Sequence, residues 1–218
     1  MNWQQEPELY DMTIIGGGTA GMYAAYYAGM RGMSVKIIDC LPFLGGTVTA
    51  FYPEKMIYDI GGIPKISGAD FISQMEEQAL MFNPSIIMNR TVKAIGGNAD
   101  ASLSLTLENG DVHHSKTVLI AAGPGVITKR ERKDVYFCDP APIEAWGFPL
   151  ERRRIPVSND METQMPHVYV AGDMAGYTGK WRLIASAYTE AVTAVNHAKT
   201  YLDPSAPAQV YSSLLLDP

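Results

Sequence analysis

The 218-residue chain offers little sulfur chemistry. Its two cysteines, Cys40 and Cys138, stand far apart, and no CxxC pair exists. A redox disulfide of the thioredoxin type is therefore not expected, and the thiols read as the reduced thiols of a cytoplasmic protein. Clustered positive charge is equally scarce. The formal net charge is −6, and the two short basic runs, at residues 129–133 and 152–154, fall between predicted elements. No nucleic-acid partner is expected on that basis. No apolar run approaches the roughly 18 residues a spanning helix needs. The opening residues are polar and acidic, unlike a secretory leader, so no membrane partner is expected either. Finally, one G-x-G-x-x-G stretch is present and no second.

What is present is ordinary globular material. Hydrophobic residues make up 47% and charged residues 18%, in a chain long enough for one substantial core. Residues 12–15 read as a short apolar strand. It runs into Gly16-Gly17-Gly18-Thr19-Ala20-Gly21, then a helix over 19–31, then an apolar, β-branched strand over 34–39. That is a βαβ unit of the expected length. The glycines suit a tight turn, close approach of backbone to a pyrophosphate, and close helix–strand packing. The helix start supplies unpaired N–H groups for phosphate. Asp39 stands where an acidic residue would accept hydrogen bonds from a ribose.

Residues 41–62, rich in Gly, Pro and aromatics, are expected to be an ordered loop. A helix follows over 68–81. Short strands at 92–95, 103–107 and 112–114 form a small antiparallel meander, helped by the Asn109-Gly110 hairpin signal. An apolar strand at 117–121 ends in Ala122-Gly123. Residues 128–134 look charged and structureless. A strand over 167–171 leads through Ala171-Gly172-Asp173 to a long helix over 183–201. Two features favour FAD over NAD. Small residues at Ala122 and Gly123 let backbone approach a cofactor. Asp173 puts a carboxylate near a ribityl chain, with the helix start at Ile184 aimed at the flavin. A plain helix cap is the alternative role for Asp173. Glu190 has two readings, facing the flavin pocket or lying on a solvated helix face, and the solvated face is the expected one.

The segments Ile14-Ile-Gly-Gly-Gly18, Leu44-Gly-Gly46, Tyr52-Pro-Glu-Lys55, Tyr58-Asp59, Met161-Glu-Thr163, Ala171-Gly-Asp173 and Leu183-Ile-Ala-Ser186 carry a resemblance. Across nearly all of residues 10–204 the chain resembles the thioredoxin-reductase-type ferredoxin–NADP+ reductases. The resemblance implies an α/β fold: a single FAD-binding, Rossmann-like domain of the glutathione-reductase/thioredoxin-reductase type, with a parallel sheet plus a small antiparallel β-meander. It also implies a homodimer. Gly45, Gly46 and Thr47 would line the flavin, and Tyr52 would stack on the isoalloxazine. Tyr211, in the tail 204–218, is the candidate for covering the other face from a partner subunit. Asp59 borders the flavin, as a general base if burial raises its pKa or otherwise as a hydrogen-bonding group. Val92 completes the expected FAD contacts, and no metal ligands are expected.

The departure from that family lies in the middle. Members carry an NADPH-binding domain after the strand equivalent to 117–121, whereas here the two FAD halves, about 1–127 and 135–203, follow one another directly. The expected function is therefore an FAD-dependent enzyme without its own NADPH site. It would act on a small organic substrate, by oxidation or with no net redox change, as in a cyclisation or isomerisation in a biosynthetic pathway. The alternatives are an electron-transfer module with a redox-protein partner such as ferredoxin, and a non-catalytic FAD-binding protein.

Overall fold

Alternation of side chains on short buried strands organises the molecule. The structure is a computed structural model that describes residues 9–130 and 135–210. β1 (Leu9–Ile15) and β2 (Val35–Ile38) pair in parallel, with α1 (Thr19–Met30) as the crossover. The residues between α1 and β2 include Gly32, with φ +70°, and the turn is tight.

After β2 the chain forms α2 (Gly46–Phe51), β3 (Met56–Ile57), β4 (Ile66–Ser67), α3 (Gly68–Leu80) and β5 (Ser85–Ile87). The stretch 41–62 is thus not simply a loop. It contains α2 and β3, and β3 pairs antiparallel with β4. Thr47, Val48 and Thr49 are weak helix formers. Tertiary packing decides here, because Val48 is buried in the same cluster as Phe71 and Ile72 of α3. α3 itself follows its sequence pattern. Phe71, Ile72, Met75 and Ala79 form its buried stripe, and the Ser67 hydroxyl accepts the Asp70 N–H at 3.1 Å as an N-cap. β5 is an added edge strand beside β2. Its three residues carry no usable periodicity, so the sequence reading passed over it.

The meander is β6 (Val92–Gly97), β7 (Leu103–Leu107) and β8 (Val112–Ile120). Two strands were expected where β8 is one of nine residues. Its first part pairs antiparallel with β7, Leu103 opposite Ser115, and its second part pairs parallel with β1, Ile14 opposite Leu119. β8 therefore joins the meander to the parallel sheet. Next come β9 (Val126–Arg130) and β10 (Val135–Asp139), an antiparallel ribbon. The expectation of a structureless 128–134 is corrected at its start, since β9 includes 128–130. Cross-strand hydrogen bonding overrides the charged composition there.

The remainder is α4 (Ala141–Glu144), β11 (Ile155–Pro156), β12 (Val168–Val170), a 3-10 turn at Gly172–Met174, β13 (Ala175–Gly176) and α5 (Ile184–Leu202). The main sheet runs β5-β2-β1-β8-β7-β6, and β12 also pairs with β8 in parallel. Adjacent residues supply opposite faces. Ile14, Ile37, Leu119 and Tyr169 pack with α1, α3 and α5. Ile15, Ile38, Ile120, Val168 and Val170 pack with Trp146, Phe148 and Ile155. The α/β fold expected from the sequence is the one observed.

Candidate dinucleotide and flavin site

The carboxyl ends of β1, β2, β8 and β12 open into one cavity of about 470 Å³. That crevice is where open α/β sheets place ligands. Its floor is the glycine loop. Gly16 has φ +104°, and a Cβ there would lie 2.5 Å from the Ala121 carbonyl oxygen. Gly21 sits one turn into α1, where a Cβ would overlap the Gly16 carbonyl oxygen. Gly18 opens α1 with no side-chain cap, and its Cα would lie 3.1 Å from a Cβ on Gly46. The loop is therefore bare backbone, with the unpaired N–H groups of a helix start beside it.

Asp39 ends β2 and is buried. Its carboxylate accepts the Gly17 N–H through one oxygen and the Leu41 N–H, at 2.7 Å, through the other. Burial pushes the carboxyl above its ordinary pKa, and these two backbone bonds oppose that shift. The group thus ties the glycine loop to β2 while facing the cavity. Beside it, Cys40 donates its thiol to the Ile127 carbonyl at 3.4 Å, and burial pushes that thiol up to about 12. Cys40 is consequently no nucleophile near neutral pH.

A second wall comes from the chain after β8, with Ala122 and Gly123, and from Val92, whose carbonyl accepts the Trp146 indole N–H at 3.1 Å. A third comes from α2 and β3. Thr47 and Tyr52 lie there, with the Tyr52 hydroxyl 3.4 Å from Thr47 Oγ1 and Lys55 Nζ 5.8 Å from the centre of the Tyr52 ring. Asp59 also lines the cavity but is exposed. The burial that a general-base role required is missing there, which leaves Asp59 as a polar group at the rim.

The fourth wall is Gly172 and Asp173 with Arg182 and Leu183. Asp173 does not cap α5. Its carboxylate pairs with Arg182 at 2.8 Å, across half-exposed surface. α5 begins after Leu183 with no side-chain cap, and Ile184 and Ala187 of its first turns line the cavity. Two long helices thus present uncapped starts to one space. Glu190 corrects its expected place on a solvated face, because it is only 3% exposed. Its carboxylate accepts from the Gly172 N–H at 2.8 Å, the Tyr177 hydroxyl at 2.6 Å and the Lys180 ammonium. α5 carries polar residues on both sides of Glu190, so helical spacing alone did not reveal this.

All of the expected cofactor residues except Gly21 and Gly45 line the cavity. Those two act on the backbone instead. Gly21 lets α1 start against the loop. Gly45, with φ +100°, starts α2 and donates its N–H to the Gly17 carbonyl at 2.8 Å. Cys40, Lys55, Arg90, Trp146 and Arg182 also line the cavity and were not expected there. Lys55 sits in the Tyr52-Pro-Glu-Lys55 motif, which could have signalled it, and the other four have no local motif. Tyr211 lies outside the described residues.

A bare glycine cradle, a helix start for phosphate, a ribose-facing carboxylate and a second uncapped helix farther along the cavity fit an extended flavin dinucleotide. Fold and site together define a dinucleotide-binding α/β flavoprotein. Comparison with known proteins narrows this. The profile of the pyridine nucleotide-disulphide oxidoreductases matches residues 63–198, and that of the FAD dependent oxidoreductases matches residues 11–102. A ferredoxin–NADP reductase of Geobacillus thermodenitrificans is 30% identical, over 96% of this chain and 98% of that one. A ferredoxin–NADP reductase 2 of Shouchella clausii is 29% identical, over 94% and 97%. Among solved structures, a thioredoxin reductase from Gloeobacter violaceus superposes with a TM-score of 0.73 at 13% identity, covering 94% of this chain and 99% of its own. A ferredoxin-flavin thioredoxin reductase from Clostridium acetobutylicum does so with 0.73 at 16%, covering 90% and 98%.

The chain belongs to the pyridine nucleotide-disulphide oxidoreductase family, close to its ferredoxin–NADP reductases, and its cofactor is FAD. The Geobacillus alignment extends over 325 positions, whereas this chain has 218 residues. A long stretch of that relative therefore faces no residue here. Among the described residues no helix is long and apolar enough to cross a membrane.

Proposed function

We propose that this flavoprotein is an enzyme that works without a nicotinamide site of its own and turns over a small organic molecule at its flavin. The observation that carries the reading is the β9–β10 ribbon. It spans the place where the two FAD halves meet, where the sequence resemblance puts an inserted NADPH domain, and it consists of two five-residue strands. No second glycine loop exists to hold a nicotinamide dinucleotide.

Bound FAD supplies a two-electron acceptor. This chain's own groups supply position and surroundings. Tyr52 and Tyr58 are exposed aromatics on the α2–β3 wall, and Leu183 is exposed on the facing wall. They suit a flat apolar substrate held against the cofactor. Tyr52 is the group proposed to stack on the isoalloxazine. Lys55 and Arg182 add positive charge at the same rim, which favours an anionic substrate or developing negative charge. The chemistry is oxidative, with dioxygen taking the electrons back, or it is net redox-neutral. A homodimer and a cytoplasmic location accompany this proposal.

A second reading has its own support. Two relatives are named for ferredoxin as well as for reductase activity, and the cations at the rim would meet an acidic redox protein. One anaerobic experiment separates the readings. The FAD-loaded protein is mixed with NADPH, or with reduced ferredoxin, and the flavin band near 450 nm is followed (about where oxidised flavin absorbs). The proposal expects the band to persist with NADPH. It also expects slow bleaching by ferredoxin and, in a parallel aerated assay, turnover of a small aromatic substrate. Bleaching by ferredoxin within milliseconds supports the electron-transfer reading, and equally fast bleaching by NADPH overturns both.

A further inference from the structure

The buried carboxylate of Glu190 has three donors. Gly172 N–H reaches one oxygen, while the Tyr177 hydroxyl and the Lys180 ammonium reach the other. Lys180 is as secluded as its partner, with side-chain exposures of 2% and 3%. A buried ammonium requires its counter-charge. The Tyr177 hydroxyl is pushed up to about 12, by burial first and by the Glu190 carboxylate second, so it remains a donor. Both carboxylate oxygens are therefore hydrogen-bonded.

The three donors come from two parts of the stretch 172–180, the Gly172–Asp173 turn and the residues after β13. Gly172 has φ +79°, and its neighbour Asp173 lines the cavity. Tyr177 and Lys180 belong to the loop between β13 and α5. That loop then delivers Arg182 and Leu183 to the same wall, with Trp181 exposed beside them. The Arg182–Asp173 pair bridges the two segments on the outside. That bridge is half-exposed and weak. The inner connection is the Glu190 carboxylate.

We infer that Glu190, with Lys180, is the positioning residue that locks the Gly172–Asp173 turn to the loop before α5 and thereby sets how tightly the chain holds FAD. The assignment concerns the cofactor and does not depend on which substrate the flavin meets. Glutamine cannot replace Glu190. Its single carbonyl oxygen accepts at one pole only, so its amide N–H₂ must confront either Gly172 N–H or the tyrosine–lysine pair. Removing Lys180 as well resolves the conflict. The glutamine oxygen then faces Gly172 N–H, and its N–H₂ donates to the Tyr177 oxygen.

The test uses the full chain stripped of flavin and titrated with FAD. The dissociation constant is read from flavin fluorescence, and the melting temperature of the flavin-free protein is recorded in parallel. Glu190→Gln is expected to weaken FAD by at least about tenfold, with a changed absorption envelope of the bound flavin. The Glu190→Gln/Lys180→Met double variant is expected to return to within about threefold of wild type. A purely structural role would lower the melting temperature and leave the dissociation constant and the spectrum unchanged. That result overturns the assignment, as does a double variant no better than Glu190→Gln. If Glu190→Gln does not fold, Lys180→Met is titrated in its place. FAD weakened by at least about tenfold supports the assignment, and wild-type affinity with a lowered melting temperature overturns it.

Discussion

The two ends of the cavity are built by different means. At the glycine loop, backbone does nearly everything. Gly16, Gly18 and Gly21 leave no side chain in the way, α1 contributes its free N–H groups, and the nearest buried carboxylate, Asp39, follows within 25 residues. At the other end, side chains add to the backbone pairing of β12 and β13. The Gly172–Asp173 turn and the start of α5 are positioned by Glu190, six residues into that helix, through Tyr177 and Lys180. The first end is steric in cause. The second is held by side-chain hydrogen bonds and an ion pair within residues 172–190.

The largest expected effect lies at the steric end. Gly21→Val would force a side chain into the Gly16 carbonyl. We expect a stability loss of about 3 kcal/mol or more and no FAD binding at concentrations that saturate wild type. Chemical denaturation together with an FAD titration checks this. A variant that folds and binds normally would mean the loop tolerates what its geometry forbids.

Asp39 gives an intermediate effect with a defined pH dependence. Its ordinary pKa is about 4, and burial raises it in the folded chain. The folded state then holds the proton more tightly than the unfolded state does. The resulting stabilisation is complete below the unfolded value and is lost as pH rises through the raised folded one. Asp39→Asn cannot titrate, so its melting temperature should fall less than that of wild type as pH rises above the ordinary carboxylate value of about 4. Parallel curves would discard the idea. Asparagine also presents an N–H₂ to either Gly17 or Leu41, and FAD affinity near neutral pH should drop about tenfold.

The smallest effect sharpens the contrast from outside the cavity. α3 is capped by its own Ser67, whereas α1 and α5 are not capped by any side chain. Ser67→Ala should cost about 1 kcal/mol of stability and leave FAD affinity unchanged. A changed affinity would show that α3 communicates with the site.

Much of this was legible in the chain. The β1–loop–α1–β2 unit, the meander, α3 and α5 came from periodicity and turn residues, and nearly every expected cofactor residue lies on the cavity wall. The misses share a physical cause. α2 contains Thr47, Val48 and Thr49 and becomes helical through packing on α3. β5 is too short to show a period and exists as a neighbour of β2. The β9 and β10 strands hold charges that pattern reading assigns to loops, yet they satisfy each other's backbone. Glu190 was misplaced because a carboxylate on a helix is ordinarily solvated, and its three donors are between 10 and 18 residues away in the chain.

The sequence by itself determined the class of ligand, because glycines at fixed spacing permit a backbone geometry that other residues forbid. It also determined that only one dinucleotide loop is present. Tertiary structure alone decided how the far wall of the cavity is held. It paired β9 with β10 and buried Glu190 against Lys180. Those outcomes rest on backbone pairing and a buried ion pair, whose energy depends on being removed from water, and burial is a property of the folded chain.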